Sequence, residues 1–152
     1  MAEFDIAIKK VLASEGGYSN DPDDHGGATR WGISQKSFPD IDIKNLTLDA
    51  AKQIYHQCYW EKIRGDQIEN QLLCDKIFDL SVNIGISRIT KMVQRIVGTE
   101  PDGIMGPKTI HAINAYDPKE LLEKIRQAAR QYYDSLHQPK FIHGWLLRLA
   151  RD

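Results

Sequence analysis

Cysteine is scarce in this chain of 152 residues, which contains only Cys58 and Cys74. Two cysteines permit one disulfide at most, so the sequence does not belong to the small, disulfide-stapled class of proteins. Cys58 falls on the apolar stripe of a predicted helix, and Cys74 follows Leu72 and Leu73. Buried free cysteines behave as small hydrophobic side chains. We therefore predict two unpaired, buried thiols in a protein made in a reducing compartment.

Spacings typical of metal and cofactor sites are also missing. No His-Glu-x-x-His, Cys-x-x-Cys, Gly-x-Ser-x-Gly or phosphate-loop pattern occurs in the chain. The histidines form no such pattern; they are His25, His56, His111, His137 and His143. The sequence therefore predicts neither a metal nor a cofactor, and it argues against a serine nucleophile.

Long hydrophobic runs, tandem repeats and low-complexity linkers are absent as well. The apolar stretches are short and interrupted by charges, which argues against stable membrane insertion. Residues 1–5 lack the basic-then-apolar layout of a secretory signal, so we expect synthesis in the cytoplasm. The length suits one body, and we predict a single domain over residues 1–152.

Net charge is small, at −1, but it is unevenly distributed. Residues 1–86 carry 9 basic and 14 acidic side chains, whereas residues 87–152 carry 11 basic and 7 acidic ones. The basic half suits an anionic polymer such as a bacterial cell wall. Nucleic acid is a weaker fit, because the basic residues alternate with acids and aromatic residues accompany them only at 130–133.

Apolar residues recur at helical spacing through most of the chain, which predicts a mostly helical α+β fold with at least five helices. A short extended piece near residues 31–34 predicts a small β flap within residues 18–35. Helix starts are predicted at Thr47, Ser87, Pro107 and Asp117. The stripe of the helix after Asp117 places Tyr132 inward.

Glu15 is the leading candidate for chemistry. The stripe of the first helix ends there because Gly16 and Gly17 follow. The carbonyl groups at a helix C-terminus disfavour a carboxylate, and a carboxyl that keeps its proton is what a general acid needs. An ordinary surface glutamate in the last helical turn is the alternative.

An acidic turn follows Tyr18 and contains Asp21, Asp23 and Asp24. A calcium loop begun at Asp21 fails, since Gly32 would occupy the position of the bidentate glutamate. Glycosidases pair a general acid with a second carboxylate, and either Asp21 or Asp24 could serve. Turn formation alone would also explain these aspartates.

Four further residues combine polar groups with apolar surroundings. Tyr59 and Trp60 could stack on sugar rings, although Tyr59 lies on a helix stripe and suits the core. Asp79 and Asn83 interrupt the apolar run of a predicted central helix. Buried polar groups need partners, so these two either bind structural neighbours or contact sugar. We expect a structural role for Asp79 and a contact with ligand for Asn83.

Several segments together resemble glycoside hydrolase family 108, a family of N-acetylmuramidases that includes phage endolysins and secretion-activating muramidases. The segments that carry the resemblance are residues 15–18, 20–29, 32–34, 59–60, 78–85, 102–109 and 144–145. The resemblance implies a lysozyme-like fold and hydrolysis of the β-1,4 bond between N-acetylmuramic acid and N-acetylglucosamine. It also implies a catalytic part over residues 1–86 and a helical part over residues 87–152 similar to a peptidoglycan-binding module.

The same resemblance implies roles for particular residues. Glu15 would be the catalytic acid, and the order Glu15, Asp24, Thr29 is similar to the catalytic set of phage lysozymes, with one residue fewer between the last two. Substrate contacts are expected from Tyr18, Asp21, Trp60 and Asn83. The expected partner is the peptidoglycan glycan strand, bound by a monomer that is released to the wall by a holin or a dedicated export route. A non-catalytic wall-binding or secretion-helper protein and a lytic transglycosylase remain the alternatives.

Overall fold

The computed structural model describes residues 1–15, 20 and 27–152. Within these residues seven α-helices and one small sheet account for most of the chain. They are α1 (Phe4–Ser14), β1 (Thr29–Arg30), β2 (Ile33–Ser34), α2 (Leu48–Tyr55), α3 (Gln71–Ile84), α4 (Ile86–Val97), α5 (Pro107–Ala115), α6 (Pro118–Ser135) and α7 (Pro139–Ala150). The predicted mostly helical α+β class is confirmed, with a fold of the lysozyme type.

The β flap appears as a two-residue hairpin. Its strands pair antiparallel, with Thr29 opposite Ser34 and Arg30 opposite Ile33. Trp31 and Gly32 form the turn, and both have positive φ, at 53° and 78°. This is the backbone that matches the twist of a tight hairpin. The flap therefore occupies residues 29–34 of the predicted 18–35, while 18, 19 and 21–26 lie outside the described residues.

Side-chain caps fix several helix starts where the sequence predicts them. Thr47 accepts a hydrogen bond from the N–H of Ala50 at 3.2 Å, and Asp117 accepts one from the N–H of Glu120 at 2.9 Å. The predicted cap at Ser87 is wrong, because α4 begins at Ile86 with no side-chain cap. Gly85, at φ 99°, turns the chain directly from α3 into α4.

Helix α3 is the central element of the fold. Ten of its fourteen residues are buried, and it contacts α1, α4 and α6. No helix among the described residues has the length and apolar character needed to cross a bilayer.

An aromatic cluster packs α1 and α3 against the π-helical turn His56–Trp60 that continues α2. Phe4, Trp60 and Phe78 meet edge to face, with ring centroids 5.4–5.9 Å apart. Trp60 is only 1% exposed, and its indole N–H donates to Asp66 at 2.8 Å. Gly65 leaves room for the ring, since a Cβ there would lie 2.6 Å from Trp60 Cζ2. The expectation that Trp60 contacts substrate is corrected accordingly: its ring is part of the core.

Both cysteines are free, as predicted. Cys74 is buried, and burial raises the pKa of its thiol. Cys58 is only half-buried, so the prediction of burial is wrong for that residue.

Gly65→Ala is expected to lower the free energy of unfolding by about 1–3 kcal/mol, because the new methyl group overpacks the buried indole of Trp60. Urea denaturation followed by circular dichroism measures the change. Gly144→Ala is the matched control, since nothing lies within 4 Å of its Cβ position inside α7. That variant is expected to gain about 0.5–1 kcal/mol. Equal effects of the two variants would contradict the close packing of Trp60 on Gly65.

Candidate functional site

Glu15 lies at the C-terminal end of α1, where the sequence predicts it. Its N–H donates to the carbonyl oxygen of Leu12 at 3.2 Å, and its backbone is already extended, with φ −109° and ψ 134°. The side chain is 24% exposed. A partly exposed carboxyl at a helix end can both reach solvent and contact its neighbours.

Arg148 of α7 joins Glu15 to Asp79 of α3. One terminal nitrogen of Arg148, Nη1, donates to Glu15 Oε1 at 2.8 Å. Its Nε and Nη2 donate to Asp79 at 2.8–3.0 Å, which is the forked geometry of a strong guanidinium–carboxylate pair. The three side chains are 11–24% exposed. The site is therefore a nearly buried cluster of two carboxylates and one cation.

Opposing effects act on the guanidinium. Burial alone would lower the pKa of Arg148, but the hydrogen bonds and negative charges of Asp79 and Glu15 outweigh burial and raise it. Arg148 therefore stays charged at any pH at which the protein is folded. The prediction that Asp79 has a structural partner agrees with these bonds.

The hairpin turn lies directly over Glu15. A Cβ at Gly32 would lie 2.7 Å from Cγ of Glu15 and would also collide with the Tyr55 hydroxyl. That hydroxyl donates to the carbonyl oxygen of Trp31 at 2.7 Å, so buried Tyr55 of α2 holds the turn in place. Burial, and then the nearby Glu15 charge, raise the pKa of Tyr55. Only glycine allows the turn to approach the carboxyl this closely.

Two basic side chains hold the end of α7 and thereby position Arg148. Lys76 donates to the carbonyl oxygens of Arg148 at 3.3 Å and Arg151 at 2.6 Å. Arg126 Nε donates to the carbonyl oxygen of Leu149 at 3.3 Å. Cations at a helix C-terminus satisfy its free carbonyl groups and its negative dipole end.

The other predicted residues fall into three groups. Thr29 belongs to β1, in the same hairpin as the Gly32 that covers Glu15. Asn83 is half-buried, and its Nδ2 donates to the Tyr133 hydroxyl at 2.6 Å, a contact that ties α3 to α6. Tyr18, Asp21 and Asp24 lie outside the described residues.

Sequence reasoning missed Arg148, Tyr55 and Lys76. A signal for Arg148 existed, because it interrupts the apolar run of residues 145–150, and the apolar run around Asp79 predicted a buried acid in need of a partner. Nothing local marks Tyr55 or Lys76, since each also suits an ordinary amphipathic helix. No cluster of three His, Cys, Asp or Glu side chains able to hold a metal occurs in the part of the chain that the structure describes.

Comparisons with known proteins identify the family and the fold. A family model described as Glycosyl hydrolase 108 matches residues 8–85, and a second, described as "Predicted Peptidoglycan domain", matches residues 88–150. The solved structure titled "Structure of Brucella abortus SagA" superposes with a TM-score of 0.89 at 30% identity, covering 97% of this chain and 90% of that one. No match is found among curated proteins.

The match to the Glycosyl hydrolase 108 model supports a glycoside hydrolase. The chain belongs to glycosyl hydrolase family 108. Its two family models together support a role on peptidoglycan.

Arg148→Gln is expected to lower the free energy of unfolding by about 2–3 kcal/mol, because it leaves Asp79 and Glu15 without their shared cation. Chemical denaturation at neutral pH measures the loss. Arg130→Gln, which removes a cation from the exposed side of α6, is the control and is expected to stay within about 0.5 kcal/mol of the parent. Similar losses in both variants would mean that the cluster does not stabilise the fold.

Burial of Lys76 makes the free energy of unfolding depend on pH in the alkaline range. Burial lowers the pKa of Lys76 from 10.5 to about 8. Between these values the unfolded chain binds the proton and the folded chain releases it, so raising the pH favours folding. Relative to Lys76→Met, the parent protein should gain up to about 1.4 kcal/mol per pH unit across this window. Urea midpoints of both proteins from pH 7 to 10.5 provide the measurement, and a constant difference between them would contradict the prediction.

Proposed function

We propose that this protein is an N-acetylmuramidase, which hydrolyses the β-1,4 bond between N-acetylmuramic acid and N-acetylglucosamine of peptidoglycan with Glu15 as general acid. The observation that carries the proposal is the place of Glu15: a partly exposed carboxyl beneath the hairpin turn, held through one oxygen by Arg148. No described residue donates a hydrogen bond to its other oxygen, Oε2. In the proposed mechanism Oε2 carries the proton that passes to a glycosidic oxygen.

Arg148 fixes the direction of the Glu15 carboxyl. It forms a two-pronged contact with Asp79 and donates a single hydrogen bond, from Nη1, to Glu15 Oε1. That bond holds the carboxyl in one orientation beneath the hairpin turn before a substrate arrives.

In the proposed reaction the proton of Glu15 passes to the leaving glycosidic oxygen as the bond to the sugar C1 breaks. The positive charge that develops on the sugar ring needs a nearby carboxylate. Water supplies the hydroxyl that ends on C1, and the proton that this water loses passes to a carboxylate of the site, which restores the acid. We assign the second carboxylate to Asp24, with Asp21 as the alternative. We propose Thr29 of the hairpin as the third catalytic residue. Tyr18 is kept as a sugar contact.

We further propose a division of work along the chain. Residues 1–86 would hold the catalytic groups, and residues 87–152 would hold the polymer, although α7 of the second part supplies Arg148 to the first. Catalysis would then need both parts of one polypeptide. A monomer suffices, since every residue named in this proposal comes from the same chain.

Glu15→Gln tests the assignment of the acid. The amide keeps the size of the side chain and removes its transferable proton, so release of reducing ends from purified cell walls should fall by about 10²–10⁴-fold. The same variant should keep its circular dichroism spectrum and its binding to walls. Glu100→Gln, an exposed glutamate after α4, is the control and should retain full activity.

Different products would point to different activities. If Glu15→Gln kept more than about a tenth of the parent rate of wall hydrolysis, Glu15 would not be the general acid. Products with 1,6-anhydro ends would indicate a lytic transglycosylase, and wall binding with no new ends in the parent protein would indicate a binding protein.

Asp24→Asn is expected to reduce the rate of wall hydrolysis more than Asp21→Asn, because an amide stabilises the positive sugar ring less than a carboxylate does. Initial rates at a fixed wall concentration compare the two variants. A larger loss in Asp21→Asn would transfer the second-carboxylate role to Asp21.

A further inference from the structure

A groove between α4 and α6 lies in the basic half of the chain and takes no part in the chemistry proposed above. Its volume is about 550 Å³. Gly85, Met92 and Tyr132 contribute to its walls, together with the three basic residues Arg88, Lys91 and Arg95. The lining, as far as the structure describes it, includes no aspartate or glutamate. A groove of this size can hold several polar groups of a ligand.

The three cations share one face of α4, since they follow each other at intervals of three and four residues. None of them forms an ion pair with a carboxylate of residues 1–15, 20 or 27–152. Arg88 is held in place, because its Nη1 donates to the carbonyl oxygen of Ile84 at 2.9 Å and its guanidinium lies 4.5 Å from the centre of the Tyr132 ring. An arginine has five N–H donors, so the contact with Ile84 leaves most of them available.

The start of α4 adds positive potential to the same groove. Its first turn contains Arg88 and no acidic residue, and Gly85 before it provides no side-chain cap. Acidic residues and caps are what normally stabilise this position. Cations placed there instead work against the stability of the helix, and a bound anion would relieve that repulsion.

The geometry points to this groove as the binding site for the peptide-stem carboxylates of peptidoglycan. The inference rests on the proposed function for the identity of the polymer, and it adds which part of the polymer is recognised. The N-acetylated glycan backbone offers hydroxyl and amide groups, whereas the stem peptides attached to N-acetylmuramic acid carry the negative charges. The three groove cations, which form no ion pair with the acidic residues that the structure describes, complement those carboxylates.

Helix α3 connects the catalytic cluster to the groove. Its last residue, Ile84, lines the groove and follows Asp79 by five residues, which is about 7.5 Å at 1.5 Å per residue. Asn83 lies between them and is bonded to Tyr133, the neighbour of the groove residue Tyr132. A glycan strand beside Glu15 could therefore place the stem of a nearby muramyl residue in the groove.

Charge-matched variants of the full-length protein test the site. Lys91→Gln/Arg95→Gln removes two groove cations, and Lys62→Gln/Lys119→Gln removes two exposed lysines outside the groove. Arg88 is left intact because its contacts with Ile84 and Tyr132 also support the fold. The probes are a disaccharide peptide with free stem carboxylates, the same compound with those carboxylates amidated, and a peptide-free N-acetylglucosamine oligomer. Dissociation constants are measured by calorimetry at one fixed salt concentration.

The groove variant should bind the free-carboxylate probe about tenfold more weakly than the parent, while the surface control changes less than about twofold. Binding of the amidated probe and of the peptide-free oligomer should be the same in all three proteins. Equal weakening in both variants, no weakening in the groove variant, or an equal loss for the peptide-free oligomer would overturn the inference. Tighter binding of a single-stranded oligonucleotide than of the disaccharide peptide would also overturn it in favour of a phosphate ligand.

The two proposals fail in different ways. A parent protein that releases no reducing ends from any wall overturns the muramidase proposal, whatever the groove binds. A parent protein that hydrolyses walls, but binds free and amidated stems equally, overturns only the groove assignment.

Discussion

The guanidinium of Arg148 connects the last helix of the chain to the first, through Glu15, and to the central helix, through Asp79. Glu15 and Arg148 are 133 positions apart, so their contact exists only when the whole chain is folded. A nearly buried pair of this kind is stable when every partner is present, and it is costly when one is removed. The orientation of Glu15 thus depends on the packing of α7 as much as on the end of its own helix.

The surrounding residues make this contact possible. Lys76 and Arg126 bind the carbonyl groups at the end of α7, and Tyr55 holds the hairpin turn over the Glu15 side chain. Burying Lys76 carries a free-energy cost at neutral pH, as its lowered pKa records. That cost is consistent with a site whose geometry must be fixed before a substrate arrives. The buried, polar centre of α3 therefore serves the position of Glu15 as well as the stability of the core.

Local features of this protein were predictable from sequence with good accuracy. Thr47 and Asp117 cap the helices that they were expected to cap, and Glu15 ends the first helix. Each depends on residues within one or two turns, where hydrogen bonding and backbone preference dominate. The cap predicted at Ser87 is wrong because Gly85, with its positive φ, is the only residue between α3 and α4 and itself occupies the capping position. The fold class follows from the same local patterns, since helical periodicity repeats through most of the chain.

The sequence by itself determined the helical class, the place of Glu15 and the family of the chain, because each depends on contiguous or regularly spaced residues. Only the tertiary structure decided which distant side chains meet. The pattern favoured Trp60 as a sugar contact and Tyr132 as the inward tyrosine, whereas folding buries Trp60 on Gly65 and pairs Tyr133 with Asn83. The physical reason is that an amphipathic stripe fixes which face of a helix is buried but not its rotation against a neighbour to within one residue. Arg148 shows the same limit, because its place in an apolar run marks it in the sequence, whereas its partners Glu15 and Asp79 are set only by folding.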